Sequence, residues 1–105
     1  MTEPSPPPLP SRLRLERPLV VFDVEATGLN KRVDRIVAIA LVRYEPIGTA
    51  EQVNYLLNPG IPIPEEVTAI HGIADDDVKE APTFADMAEI LERHFAGADL
   101  AGYNL

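Results

Sequence analysis

Apolar positions along this chain change period near its middle. From Pro18 to Val24 the run is too short and too rich in β-branched residues for a helix, which predicts a first strand. Thr27-Gly28 breaks that run, and Asn30-Lys31-Arg32 forms a polar turn carrying two cations. Ile36 to Tyr44, IVAIALVRY, is nearly continuous and by length alone suits a buried strand or a short helix. The turn before it makes antiparallel pairing with the first strand natural, so a strand is predicted. Glu45-Pro46-Ile47-Gly48 closes that strand. In Gln52 to Leu57, Val53, Tyr55 and Leu57 share one face opposite Gln52, Asn54 and Leu56, the alternation of a half-exposed third strand.

Beyond Asn58-Pro59-Gly60 the period becomes helical. Pro64 is suited to the first turn of a short helix from Glu65 to about Ile70, which His71-Gly72 ends. Asp75-Asp76-Asp77 reads as another helix start, because acids favour the positive end of the helix dipole. Thr83 as N-cap, with Asp86 three residues on, opens a longer helix whose expected buried face is Phe84, Met87, Ala88, Leu91 and Phe95. Gly97 ends it, and Asp99 to Tyr103 begins a further strand. Three antiparallel strands, crossover helices and another strand make an α/β protein with a mixed sheet.

Composition narrows this picture. With 105 residues, 46% of them hydrophobic, the chain forms one small domain with a modest core. No cysteine is present, which removes disulfides, thiolate metal sites and a cysteine nucleophile. Pro4, Pro6, Pro7, Pro8 and Pro10 mark residues 1–17 as a separate leader, expected to be disordered, with Arg12, Arg14 and Arg17 at its end. Residues 18–105 are the expected domain. No stretch approaches the roughly 20 apolar residues that span a bilayer, and the leader lacks the apolar core of a secretory signal. The expected setting is cytoplasmic, with no membrane partner. A formal charge of −8 gives no general attraction to nucleic acid, so a polyanionic substrate needs metal ions or a local basic strip. Lys31, Arg32 and Arg35 are the candidates for that strip, although a solvated turn is the plainer account of them.

The chemistry concentrates in Val20 to Leu29, VVFDVEATGL. On a strand Asp23 and Glu25 project from the same face, about 7 Å apart along the chain. Paired acids repel unless a cation or a shared proton compensates. Their oxygens suit hard cations, Mg²⁺ or Mn²⁺, and two such ions about 4 Å apart drive phosphodiester hydrolysis. Solvated charges at a strand end are the plainer alternative for an isolated D-x-E.

VVFDVEATGL resembles the first motif of the DnaQ-like exonucleases, the DEDD superfamily of 3′–5′ exonucleases. NPGIPIPEEVTAIHGI resembles that family's segment after the third strand, DDDVKEAPTFADMAEIL its approach to the next helix, and DLAGYNL its approach to the second motif. The resemblance implies a ribonuclease-H-like fold and a two-metal mechanism that removes nucleotides from the 3′ end of DNA or RNA. It implies Asp23 and Glu25 as metal-binding catalytic acids. Thr27, Gly28 and Leu29 correspond to the turn that meets the terminal nucleotide, with Leu29 against its base. His71 corresponds to the histidine of I-H-G-I on the substrate side, and Asn104 to a substrate-side position. The family's third and fourth acids and its catalytic histidine correspond to positions past Leu105. The expectation is therefore the N-terminal part of an exonuclease domain, with an incomplete two-metal site, inactive alone and prone to self-association or to a polymerase-type partner.

Two other readings compete. A haloacid-dehalogenase-type phosphatase also opens with an apolar strand and D-x-D-x-T, which Asp23, Glu25 and Thr27 imitate. Glutamate at the second position, and an antiparallel strand where a crossover helix belongs, count against it. The other is a non-catalytic interaction module on a nuclease scaffold. His71 also suits a capping role at its helix end, and His94 a structural role beside the apolar face.

Overall fold

The computed structural model describes residues 8, 14–30 and 32–103, with only the backbone of Tyr103. Most of the Pro-rich leader, Lys31 and Asn104 lie outside the described residues.

Strand β1 (Leu19–Ala26) pairs antiparallel with β2 (Ile36–Tyr44), which pairs antiparallel with β3 (Ala50–Leu56). Three helices follow: α1 (Glu65–His71), α2 (Asp75–Val78) and α3 (Phe84–Phe95). They carry the chain across the sheet to β4 (Asp99–Tyr103), which lies parallel to β1 and gives the order β3-β2-β1-β4. The antiparallel β1–β2 hairpin settles the ambiguity of the IVAIALVRY run in favour of a strand. β1 runs two residues further than its apolar pattern indicated. Glu25 pairs with Ala38, and the register shifts between Glu25 and Ala26. Both acids therefore lie inside the strand, just before a bulge. Such irregularities bend a strand and re-aim its side chains.

Side chains alternate across the sheet, so the two faces carry different residues. On one face Val24, Ile39 and Tyr55 meet Met87, Leu91 and Phe95 of α3, with buried Leu57 in the same cluster. Phe22 meets Phe95 edge to face, with ring centroids 5.4 Å apart. A second cluster of Val37, Ile63 and Val78, joined by Val67, Ile73 and Ala81, fixes α1 and α2 beside β2.

The ends of the helices follow their sequence signals. Thr83 Oγ1 accepts from the Asp86 amide at 3.1 Å while Asp86 accepts from the Thr83 amide, the reciprocal cap expected of that spacing. Gly72 takes the left-handed conformation, φ 79°, and its amide donates to the Thr68 carbonyl at 2.7 Å. Two positions of α3 depart from the expected buried face. Phe84 is 51% exposed and Ala88 is also exposed. Phe84 has the right helical phase, but it lies in the first turn, level with the loops that precede β2 and follow β3.

Candidate active site

Asp23 and Glu25 project from the face of the sheet opposite α3. Together with Ala38, Ala40, Asn54 and Leu56 they line a concavity of about 200 Å³. The register explains the space around them, because Asp23 lies opposite Ala40 and Glu25 opposite Ala38. A methyl group beside each carboxylate leaves room for a ligand that larger residues would fill. Both acids are partly buried, and Glu25 has no cationic partner among the described residues.

The turn after β1 is held by one residue that the pattern did not single out, Asp34. Its Oδ1 accepts from the Thr27 hydroxyl at 2.7 Å and its Oδ2 from the Asn30 amide at 2.7 Å. Thr27 Oγ1 accepts in turn from the Arg35 amide at 3.0 Å, and the Thr27 amide donates to the Arg35 carbonyl at 2.8 Å. Thr27 is 1% exposed, with both its hydroxyl and its amide committed inside the protein. Gly28 fits because the carboxylate approaches it closely: a Cβ there would lie 2.5 Å from Asp34 Oδ2. This closed arrangement presents Leu29 outward, 100% exposed. No signal in the sequence marks Asp34; the burial of Thr27, whose hydroxyl requires an acceptor within reach, is what reveals it.

His71 ends α1 and reaches back to β1. Its Nδ1 lies 3.1 Å from the Ile73 amide, which can only donate, so Nδ1 carries no proton. Nε2 therefore holds the ring hydrogen and donates to the Ala26 carbonyl at 3.1 Å. The ring thus ties the I-H-G-I segment to the strand that carries the acids, while the end of α1 is capped by the Gly72 amide.

The remaining candidates have structural work elsewhere. His94 lies between the Tyr55 hydroxyl at 3.0 Å and Glu51 at 3.3 Å, on the α3 side of the sheet. Asp75 accepts from the Ile63 amide and Asp77 from the Ala74 amide, both as helix-start acids. Asp99 pairs with Arg17 at 2.7 Å.

The donor set suits a hard divalent cation. Two carboxylates on one face can hold one ion whose other positions go to water and phosphate. No group of three or more His, Cys, Asp or Glu residues is assembled among the described residues, so two adjacent ions are not fully provided for.

The exonuclease family model of the RNase T type matches residues 20–105. The chain belongs to this exonuclease family. Among curated relatives, a DNA polymerase III subunit epsilon-like protein of Rhodobacter capsulatus is 36% identical over 89 residues, covering 81% of this chain and 12% of that protein. The DNA polymerase III subunit epsilon of Treponema pallidum is 32% identical over 83 residues, covering 79% of this chain and 39% of that protein. An exonuclease I from Methylocaldum szegediense has a similar structure, with a TM-score of 0.71 and 26% identity over 83% of this chain and 20% of that one. The chain is built on the ribonuclease-H-like mixed sheet of this structure. It spans well under half the length of these relatives. Family membership, together with the antiparallel β1–β2 hairpin, removes the dehalogenase-type reading.

Proposed function

We propose that the chain contributes one half of the catalytic centre of a 3′–5′ exonuclease dependent on Mg²⁺ or Mn²⁺. The observation that carries this reading is the placement of Asp23 and Glu25 side by side on the open sheet face, with the Thr27–Leu29 turn directly after them. The reaction is hydrolysis of the terminal phosphodiester, with the 3′ oxygen of the preceding nucleotide leaving and a nucleoside 5′-monophosphate released. A divalent cation held by the two acids would supply charge stabilisation at the phosphoryl oxygens and a more acidic water. Asp23 and Glu25 would hold that ion, Leu29 offers an apolar surface to the terminal base, and Asp34 and His71 fix the backbone between them. Asn104 is retained as a substrate-side residue on the family pattern.

The substrate is the 3′ end of DNA or RNA. The polymerase III relatives support a polymerase-type partner, a cytoplasmic setting and a role in replication or repair. No helix among the described residues is long and apolar enough to cross a membrane. Among the described residues β3 and β4 are the edge strands of the sheet, which supports self-association as the other partner mode.

The test is binding of the reaction product. Thymidine 5′-monophosphate should bind in the presence of Mn²⁺, and Asp23→Asn should abolish the metal-dependent part. Equal binding with and without Mn²⁺, or by wild type and Asp23→Asn, would contradict the proposal.

A further inference from the structure

On the other side of the Asp34 clamp lies a larger groove, of about 500 Å³, that the reaction does not use. Arg35, Ile36, Pro59, Gly60 and Phe84 line it, and Asp34 forms its wall towards the turn. We propose that this groove is a second subsite for single-stranded nucleic acid, taking the nucleotides that precede the terminal one. The inference rests on the exonuclease reading above.

Charge supports this occupant. The chain carries −8 overall, and most of its described cations are already paired. Arg17 is paired with Asp99, Arg43 with Glu45, Lys79 with Asp76 and Arg93 with Glu89. Arg14, Arg32 and Arg35 are exposed and form no ion pair among the described residues, and the Arg35 guanidinium donates only to its neighbour's carbonyl, at 3.1 Å. Asp34, the one acid in the lining, has both oxygens occupied by Thr27 and Asn30. A phosphodiester entering the groove therefore meets a free guanidinium and an acid whose oxygens are already engaged.

The apolar side of the groove fits a base. Phe84 is a half-exposed ring at the start of α3, where the helix gives it no partner in the core. Base–aromatic stacking tolerates any sequence because every base has a π-face, and it works together with cations that track the backbone. The walls are rigid. The Asn58 amide donates to the Pro82 carbonyl at 2.8 Å and Asn58 Oδ1 accepts from the Gly60 amide at 2.9 Å, which locks the loop after β3 to the start of α3. Continuity comes from Asp34, which shapes the Leu29 turn with one surface and bounds the groove with the other. A strand whose 3′ end rests on Asp23 and Glu25, on the face opposite α3, would turn past Leu29 around the end of β1 to reach Arg35 and Phe84 on the α3 side.

The experiment is fluorescence anisotropy in Ca²⁺ with labelled oligodeoxythymidylates of about 3 and about 12 nucleotides, lengths chosen to fall short of and to span the groove. The wild type should bind the longer one more tightly. Phe84→Ala and Arg35→Ala should each weaken the longer one by about tenfold and leave the shorter one unchanged, whereas Phe84→Trp should retain the tighter binding. Arg35→Ala should also flatten the salt dependence by about 0.7 in log–log slope, one phosphate's worth for a single strand. Asp23→Asn should weaken both lengths alike. If the groove variants change neither length, or weaken both equally, the subsite is refuted while the catalytic reading stands. If the wild type binds neither length, both readings fall. Both positions are exposed, and circular dichroism establishes that each variant is folded before binding is measured.

Discussion

The carboxylate of Asp34 occupies the space that a side chain at Gly28 would need. An added Cβ would lie 2.5 Å from Oδ2, while the same carboxylate binds the Thr27 hydroxyl and the Asn30 amide. Gly28→Ala must therefore displace Asp34, at a cost of about 1–3 kcal/mol by overpacking. Asp34→Ala leaves the buried Thr27 hydroxyl without its acceptor, at a cost of about 1–3 kcal/mol. The double variant should lose less than the sum, because removing the carboxylate clears the clash. Urea unfolding of the four proteins in this cycle measures the coupling, and strict additivity would contradict the clamp.

That clamp also marks what the sequence could and could not reveal. The order of elements was legible because each strand and helix carries its own period and its own breaker residues. Asp23 and Glu25 were legible as a candidate pair because two acids side by side at the end of an apolar strand repel unless a cation or a shared proton compensates. Asp34 was not, since an aspartate in a polar turn looks like any solvated charge until Thr27 is known to be buried beside it. Phe84 misled for a related reason. Helical phase gives the direction of a side chain, but not whether the neighbouring element extends far enough to cover it. The apolar pattern ends β1 at the acids, whereas pairing with β2 carries it through Glu25 to Ala26.

His71 links two segments through a neutral ring with its hydrogen on Nε2. His71→Ala should remove the bonds to the Ala26 carbonyl and the Ile73 amide, lowering stability by about 1–2 kcal/mol. Hydrogen exchange gives the specific readout. The Ile73 amide should lose protection in the variant, and unchanged exchange there would show that the ring is not its acceptor.

Leu29 separates folding from function. Because the side chain is 100% exposed, Leu29→Ala should leave stability within about 0.5 kcal/mol of wild type. Binding of thymidine 5′-monophosphate in Mn²⁺ should nonetheless weaken several-fold. A thermal shift without a change in nucleotide affinity would reverse the role proposed for it.

The described residues supply two carboxylates on the open face and assemble no cluster of three. The 105-residue chain, given Mg²⁺ and a 5′-labelled oligonucleotide, should release no mononucleotides above background. Release that disappears in Asp23→Ala would show that these residues suffice for catalysis.

Whether Asp23 and Glu25 form a metal-binding half-site is read out by paramagnetic broadening of amide resonances on titration with Mn²⁺. Broadening should begin at Asp23 and Glu25 and extend to Ala38 and Ala40, their partners across β2, with Asp23→Asn abolishing it. Resonances around Asp23 and Glu25 that stay sharp at millimolar Mn²⁺ would contradict the account.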